Sequence, residues 1–396
     1  MRCECMASPR SCPRTTSPWP ATASPLFISV RLLRLAHRPE RESVMIIRHA
    51  MCGVLALLAL TGCSRQGPHQ DKDYAAMNTI VMKPVCIGRF ELSIPRDGEK
   101  DWRTDVDWAQ VTRLPFKLRS AEDFWGYVEA RKQFLQSQKH DTEPSLLSLY
   151  EKVGDNAAIL LNRQEPSNDV VYYLERYVWL GDRGYFFKGL GEGDEIKAKL
   201  EGYKKILGRL VPHDGLGRPV TNGYCIDGAT ITGVIPEVSS GVFMRPPGLK
   251  AGLLYMGTVE AADPTKLKDT PGLDPRTMSA FGNLEIEKQK YDYLKSNAPS
   301  DDPEAPKSFD VIRKGVRAAA GRPGEEAVWR IEYHNGAVVY YFRWLNSDAA
   351  PSTPDNPSLT LSLDVGDEMD PSKKVPPEPQ MFALWDATLD SIKPRH

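Results

Sequence analysis

At 396 residues the chain exceeds one average domain, and roughly 100–200 residues per domain predicts two or three. Hydrophobic residues make up 41% and charged residues 26%, the composition of a globular protein and not of a disordered one. The formal net charge of −1 hides an uneven split: residues 1–62 hold eight Arg/Lys and three Asp/Glu, so the rest carries 43 basic and 49 acidic residues, a formal −6. A mildly acidic body has no clustered basic face, which excludes nucleic acid as the expected partner.

The first long apolar run is Met51-Cys-Gly-Val-Leu-Ala-Leu-Leu-Ala-Leu60, preceded by the short basic stretch around Arg48. An apolar run of about ten residues suits a signal peptide and is too short to span a membrane as a helix. It ends in Leu60-Thr61-Gly62-Cys63, the pattern of a bacterial lipobox, in which small residues fit the peptidase and the Cys63 thiol accepts diacylglycerol. Residues 45–62 are therefore expected to be a lipoprotein signal peptide. Cys63 is the lipidation site, anchoring the protein to membrane in the periplasm. Ser64 follows in place of the Asp that retains lipoproteins at the inner membrane, which points to the outer membrane. Residues 1–44, rich in Arg, Pro, Ser and Thr and placed ahead of a complete signal peptide, are expected to be untranslated or disordered. Residues 63–80 are polar and aperiodic, a flexible tether.

Maturation leaves Cys63, Cys86 and Cys225. With Cys63 acylated, Cys86 and Cys225 either pair as a disulfide in an oxidising compartment or stand as two separate buried thiols. Cys86-Ile-Gly-Arg-Phe-Glu-Leu-Ser-Ile-Pro95 alternates apolar residues up to a proline and reads as a strand. Ser120-Ala-Glu-Asp123 forms a capping box ahead of Phe124, Val128 and Leu135, which share one helix face. Strand-like runs follow over 145–153, 156–162, 169–180 and 184–190, the last two joined by a turn at Asp182-Arg-Gly184. Ile196, Leu200, Tyr203 and Leu207 then recur at helical spacing.

A Gly- and Pro-rich stretch at 215–223 predicts a linker between an N-terminal α+β domain, 81–214, and a C-terminal one, 224–396. The second block opens on Tyr224-Cys225-Ile226, then gives a helix near Asp310–Ala319 and strands over 327–333, 337–344 and 358–365. It closes on a helix with Met381, Leu384, Trp385, Leu389 and Ile392. Cys-Ile strand, helix, meander and closing helix recur in both blocks, as a duplication would give. The expected fold is α+β: two similar lobes, each an antiparallel sheet packed by helices, joined by a short linker. Residues 260–305, with proline-rich ends and the acidic Ser300-Asp-Asp-Pro-Glu304, read as a long loop and a candidate binding element.

Chemistry-bearing motifs are missing. The sequence contains no Gly-x-Ser-x-Gly elbow, no His-Glu-x-x-His and no paired Cys-x-x-Cys. Gly189-Leu-Gly191-Glu-Gly193 lacks the spacing and the Lys-Ser/Thr ending of a phosphate loop and reads as a turn. His69, His140, His213, His334 and His396 have no partner at metal-ligand spacing and read as surface or satisfied polar groups. Trp125, Trp179, Trp329, Trp344 and Trp385 read as core. No catalytic, metal or cofactor residue is assigned, and the protein is not expected to be an enzyme.

The strand at 86–95, Tyr224-Cys-Ile-Asp-Gly228, Gly321-Arg-Pro-Gly-Glu325, Tyr341-Phe-Arg-Trp344, Pro357-Ser-Leu-Thr-Leu-Ser-Leu363 and Leu384-Trp-Asp386 come in an order that resembles type VI secretion lipase-immunity lipoproteins. That resemblance covers nearly all of residues 80–396. It implies a periplasm-facing inhibitor whose two lobes grip a secreted phospholipase effector and block its catalytic cleft. It assigns no individual contact residues. The alternatives are a structural or assembly lipoprotein of an envelope complex and, behind that, a solute-binding or hydrolytic envelope lipoprotein.

Overall fold

The computed structural model describes residues 80–395 apart from 108, 194, 214–222, 250, 264–278, 300–301 and 347–351. In chain order these form β1 Met82–Ile87, β2 Phe90–Pro95, β3 Glu99–Val106, β4 Ala109–Arg113, α1 Ala121–Ser137, β5 Leu147–Val153, β6 Ala157–Arg163, β7 Val171–Leu180, β8 Arg183–Glu192, α2 Glu195–Leu207 and β9 Leu210–Pro212. They continue with β10 Gly223–Ile226, β11 Ala229–Thr232, β12 Glu237–Arg245, β13 Gly252–Ala261, α3 Ala280–Asn297, β14 Pro306–Val316, β15 Gly324–Tyr333, β16 Val338–Asn346, β17 Ser358–Val365, α4 Glu378–Asp390 and β18 Lys393–Pro394. The protein is α+β, built on antiparallel sheets covered by helices.

Twelve strands form one sheet in the order β14-β15-β16-β17-β13-β12-β3-β4-β8-β7-β6-β5. Read outward from the β12–β3 pair, the two sides match: β12, β13, β17, β16, β15, β14 on one, and β3, β4, β8, β7, β6, β5 on the other. Helices fall in matching places too. In chain order α1 falls between β4 and β5 and α3 between β13 and β14, after the first two sheet strands of each half, and α2 and α4 each follow the meander. Period-2 alternation sorts side chains by face. On one face Ile196, Tyr203 and Ile206 of α2 pack on Ile159, Leu174 and Phe187, and Met381, Leu384 and Trp385 of α4 pack on Phe342, Leu361 and Leu363. On the other, Phe124, Val128 and Leu135 of α1 meet Ala158, Leu160 and Tyr177, and Leu284 of α3 meets Trp329 and Ile331.

The two short hairpins are exchanged between the halves. β1–β2, from the N-terminal half, inserts Ile87, Phe90, Leu92 and Ile94 into the core under α4, and β18 from the C-terminus pairs with β2. β10–β11, from the C-terminal half, inserts Tyr224, Ile226 and Ile231 under α2, and β9 pairs with β11. Fully buried side chains of this size each stabilise by about 1.5–3 kcal/mol. Each half therefore depends on the other for several of its largest core contacts. Where the hairpins meet, the Gly88 amide donates to the Cys225 carbonyl at 2.9 Å and the Cys225 amide to the Gly88 carbonyl at 2.8 Å. Gly88 sits at φ +55° against Thr258, which a side chain there would strike.

Several expectations are revised. The halves do not carry separate sheets, because β3 and β12 pair from Val106↔Val238 to Glu99↔Arg245 and close the gap between them. The linker expected at 215–223 falls almost entirely outside the described residues. The helix expected near Asp310–Ala319 is instead the edge strand β14, whose register shifts between Val311 and Arg313 and puts Val311 and Ile312 side by side in solvent. The helix of that block is α3, inside the stretch read as a loop over 260–305; of that stretch, 264–278 and 300–301 lie outside the described residues. The β7–β8 turn is Gly181-Asp182, one step earlier than expected, with Gly181 at φ +66°. The capping box is present in modified form: Ser120 Oγ accepts from the Asp123 amide at 3.2 Å, while Asp123 reaches past it to the Arg119 amide at 2.9 Å.

Candidate partner-binding face

On the α1/α3 face, α1 lies over β5–β7 and α3 over β14–β16. Between them β17, β13, β12, β3 and β4 carry no described helix, a floor about 19 Å wide at ~4.8 Å per strand spacing. The opposite face of the same strands is closed by the exchanged hairpins: Thr104 and Ser240 are buried there and share a 2.9 Å hydroxyl hydrogen bond.

Register sets the residues of the open floor in rows. Asp101, Phe243, Tyr255 and Ser362 form one row across β3, β12, β13 and β17; Arg103, Gly241, Gly257 and Thr360 form the next. The facing glycines leave a slot in the second row, and the Tyr255 ring fills it. A Cβ on Gly241 would stand 2.6 Å from the Tyr255 ring, and one on Gly257 would strike its hydroxyl. Phe243 and Tyr255 contact with centroids 4.5 Å apart, and the Arg103 guanidinium lies 4.6 Å over Phe243. Arg103 and Asp101 are exposed, while Phe243 and Tyr255 are half-buried. Desolvation raises the Tyr255 phenol above its usual range, with Asp105 adding to the rise and Arg103 opposing it, so the hydroxyl remains a donor at neutral pH. Ser239, Thr360, Ser362, Gln110 and Thr112 add small or neutral polar groups around the cluster, and Glu99, Asp101 and Asp105 of β3 add carboxylates on the same face. A Tyr/Phe/Arg centre with a polar rim is the composition of a protein interface core.

The remaining sequence-predicted residues sit elsewhere. Cys86 and Cys225 are joined in a disulfide between β1 and β10, with Cα atoms 5.7 Å apart, and the Arg395 guanidinium lies against both sulfurs, 2.9 Å from Cys86 Sγ and 2.6 Å from Cys225 Sγ. Cys63, His69 and His396 lie outside the described residues. His140 is buried, its Nδ1 accepting from the Thr142 and Glu143 amides at 3.3 Å. Trp329, Trp344 and Trp385 are core. Among the described residues no group of three or more His, Cys, Asp or Glu is placed to hold a metal, and no helix is long and apolar enough to cross a membrane. The Arg103–Phe243–Tyr255 cluster was missed because its members lie far apart in sequence. The one local signal was alternation along 99–106, with Trp102, Thr104 and Val106 on the covered face and charges on the other.

Residues 269–396 match the family model described as Tle cognate immunity protein 4 C-terminal domain. This is the lipase-immunity family that the sequence resembles. The Tli4 C-terminal match takes in α3, β14–β18 and α4 and stops short of the Arg103–Phe243–Tyr255 cluster. Among solved structures, the apo form of immunity protein TplEi of the T6SS from Pseudomonas aeruginosa has a TM-score of 0.62 at 20% identity, covering 81% of this chain and 99% of that one. The Tle4–Tli4 complex has a TM-score of 0.62 at 20% identity, covering 79% and 97%. TplEi complexed with an "L" peptide has 0.58 at 20%, covering 79% and 98%. At that identity the likeness establishes that the Tli4-like fold extends through both halves. No curated protein matches the chain.

Proposed function

We propose that this protein is an immunity lipoprotein that binds and inhibits a type VI secreted phospholipase, protecting the cell that makes the toxin. The observation that carries this reading is the match of residues 269–396 to the Tle cognate immunity protein 4 C-terminal domain. The Tle4–Tli4 complex, of similar fold, supplies the precedent for a partner. The protein acts as a stoichiometric blocker, not as an enzyme. Its halves, 81–214 and 224–396, serve as two arms of one grip, so that contact by the first raises the effective concentration of the second. The lipobox supports periplasmic placement, with lipid on Cys63 holding the inhibitor at the outer membrane that the toxin would attack.

The test is to titrate the purified protein into a phospholipase assay of the lipase encoded nearest its gene. The expected outcome is loss of turnover complete near one inhibitor per enzyme. Unchanged turnover, with no complex on sizing, rejects the reading and favours an envelope-assembly role.

A further inference from the structure

We propose that the Arg103–Phe243–Tyr255 cluster is the anchor of the interface, and that its occupant is a folded lobe of the phospholipase presenting an apolar side chain flanked by a carboxylate. The inference rests on the immunity reading and adds to it the place and chemistry of contact.

Size argues first. Among the described residues five open strands give a floor about 19 Å wide, and eight residues at ~3.3 Å each make it about 26 Å long, roughly 500 Å² before the walls of α1 and α3 are added. Stable interfaces bury about 800 Å² per partner. A single helix, about 10–12 Å across, would leave roughly 40% of the floor uncovered. The occupant is therefore a folded surface and not a lone peptide.

Chemistry argues second. Tyr255 is held flat by Gly241 and Gly257, so its ring is pre-ordered and loses little freedom on binding. Phe243 extends the same apolar platform, and the guanidinium of the exposed Arg103 lies over it. Its ion pair with Asp101 is a single 3.4 Å contact between two exposed side chains and Asp105 acts on it only through space, so a bidentate carboxylate from the partner outcompetes both. Tyr and Arg at the centre of a polar-rimmed patch are where binding energy concentrates.

The experiment measures lipase affinity for the wild type and for Arg103→Glu, Tyr255→Ala and a control, Val316→Lys, on the exposed β14 edge. Melting temperature is recorded for each. Arg103→Glu changes only an exposed side chain and keeps the test sound if Tyr255→Ala folds poorly. We expect at least ~30-fold weaker binding for Tyr255→Ala and ~100-fold for Arg103→Glu, with the control unchanged. Wild-type binding that Arg103→Glu leaves intact overturns the anchor while the immunity reading stands. A wild type that does not bind the lipase removes both.

Discussion

The two halves place a closing helix on the same kind of sheet, yet fill the contact differently. In the C-terminal half, Trp385 of α4 lies against Phe342 at 5.5 Å, and its Nε1 donates to Glu326 at 2.7 Å. Glu326 also accepts from Arg313 and Arg317, each at 3.1 Å, and both arginines continue to Asp386. Every charge in that cluster has a partner. In the N-terminal half, Tyr203 of α2 faces Arg176, whose guanidinium is fully buried over the Tyr203 and Phe187 rings with no hydrogen-bond partner among the described residues. Desolvation pushes Arg176 well below its usual range, Tyr203 and Asp107 opposing. The comparison teaches that one topology tolerates both a satisfied network and a buried cation held by ring faces, at different cost.

The sharpest way to break the C-terminal arrangement is Glu326→Ala. It leaves Arg313, Arg317 and the Trp385 indole without their shared acceptor, and stability should fall by about 3–5 kcal/mol, read as the midpoint shift in urea. Next in size is the bond that ties the halves together. Replacing Cys86 and Cys225 by serine opens a loop closed across a sequence separation of 139, and a loss of about 2–5 kcal/mol is expected. Thermal melting with and without reductant checks it: reductant should lower the wild-type midpoint and leave the double variant unmoved. The smallest effect has the opposite sign. Arg176→Met keeps the volume and removes the buried charge, and should raise stability by about 1–3 kcal/mol. A destabilised Arg176→Met would mean that the rings hold the cation better than they hold a thioether, and the contrast between the halves would disappear.

Sequence patterning exposed what is local. Ser120 and Asp123 announced α1, the 3.6-residue spacing of Ile196, Tyr203 and Leu207 announced α2, and the meander strands stood out by their apolar runs. It failed where side chains serve two surroundings. Along β3 only Trp102 and Val106 are apolar among the inward residues that alternate with Glu99, Asp101, Arg103 and Asp105, so the alternation is too faint to single the strand out. α3 buries only Ala280, Leu284 and Tyr291, too few for an apolar stripe. In β14 a bulge breaks the alternation. The partner-binding face was illegible for a further reason: its anchor forms only when β3, β12 and β13 align, and neither glycine of the slot reports which ring will fill it.

The exchanged hairpins also set an order in time. A chain emerging from its N-terminus, as in synthesis, presents β3–β8 and α2 first, yet the cap for that core is residues 223–232, which emerge afterwards. The β1–β2 hairpin, among the first segments out, finds its seat only when α4 and β18 arrive at the very end. Neither half can finish alone, so a prematurely ended copy would leave behind no half-working protein, only a fragment with an uncapped core for proteases to clear.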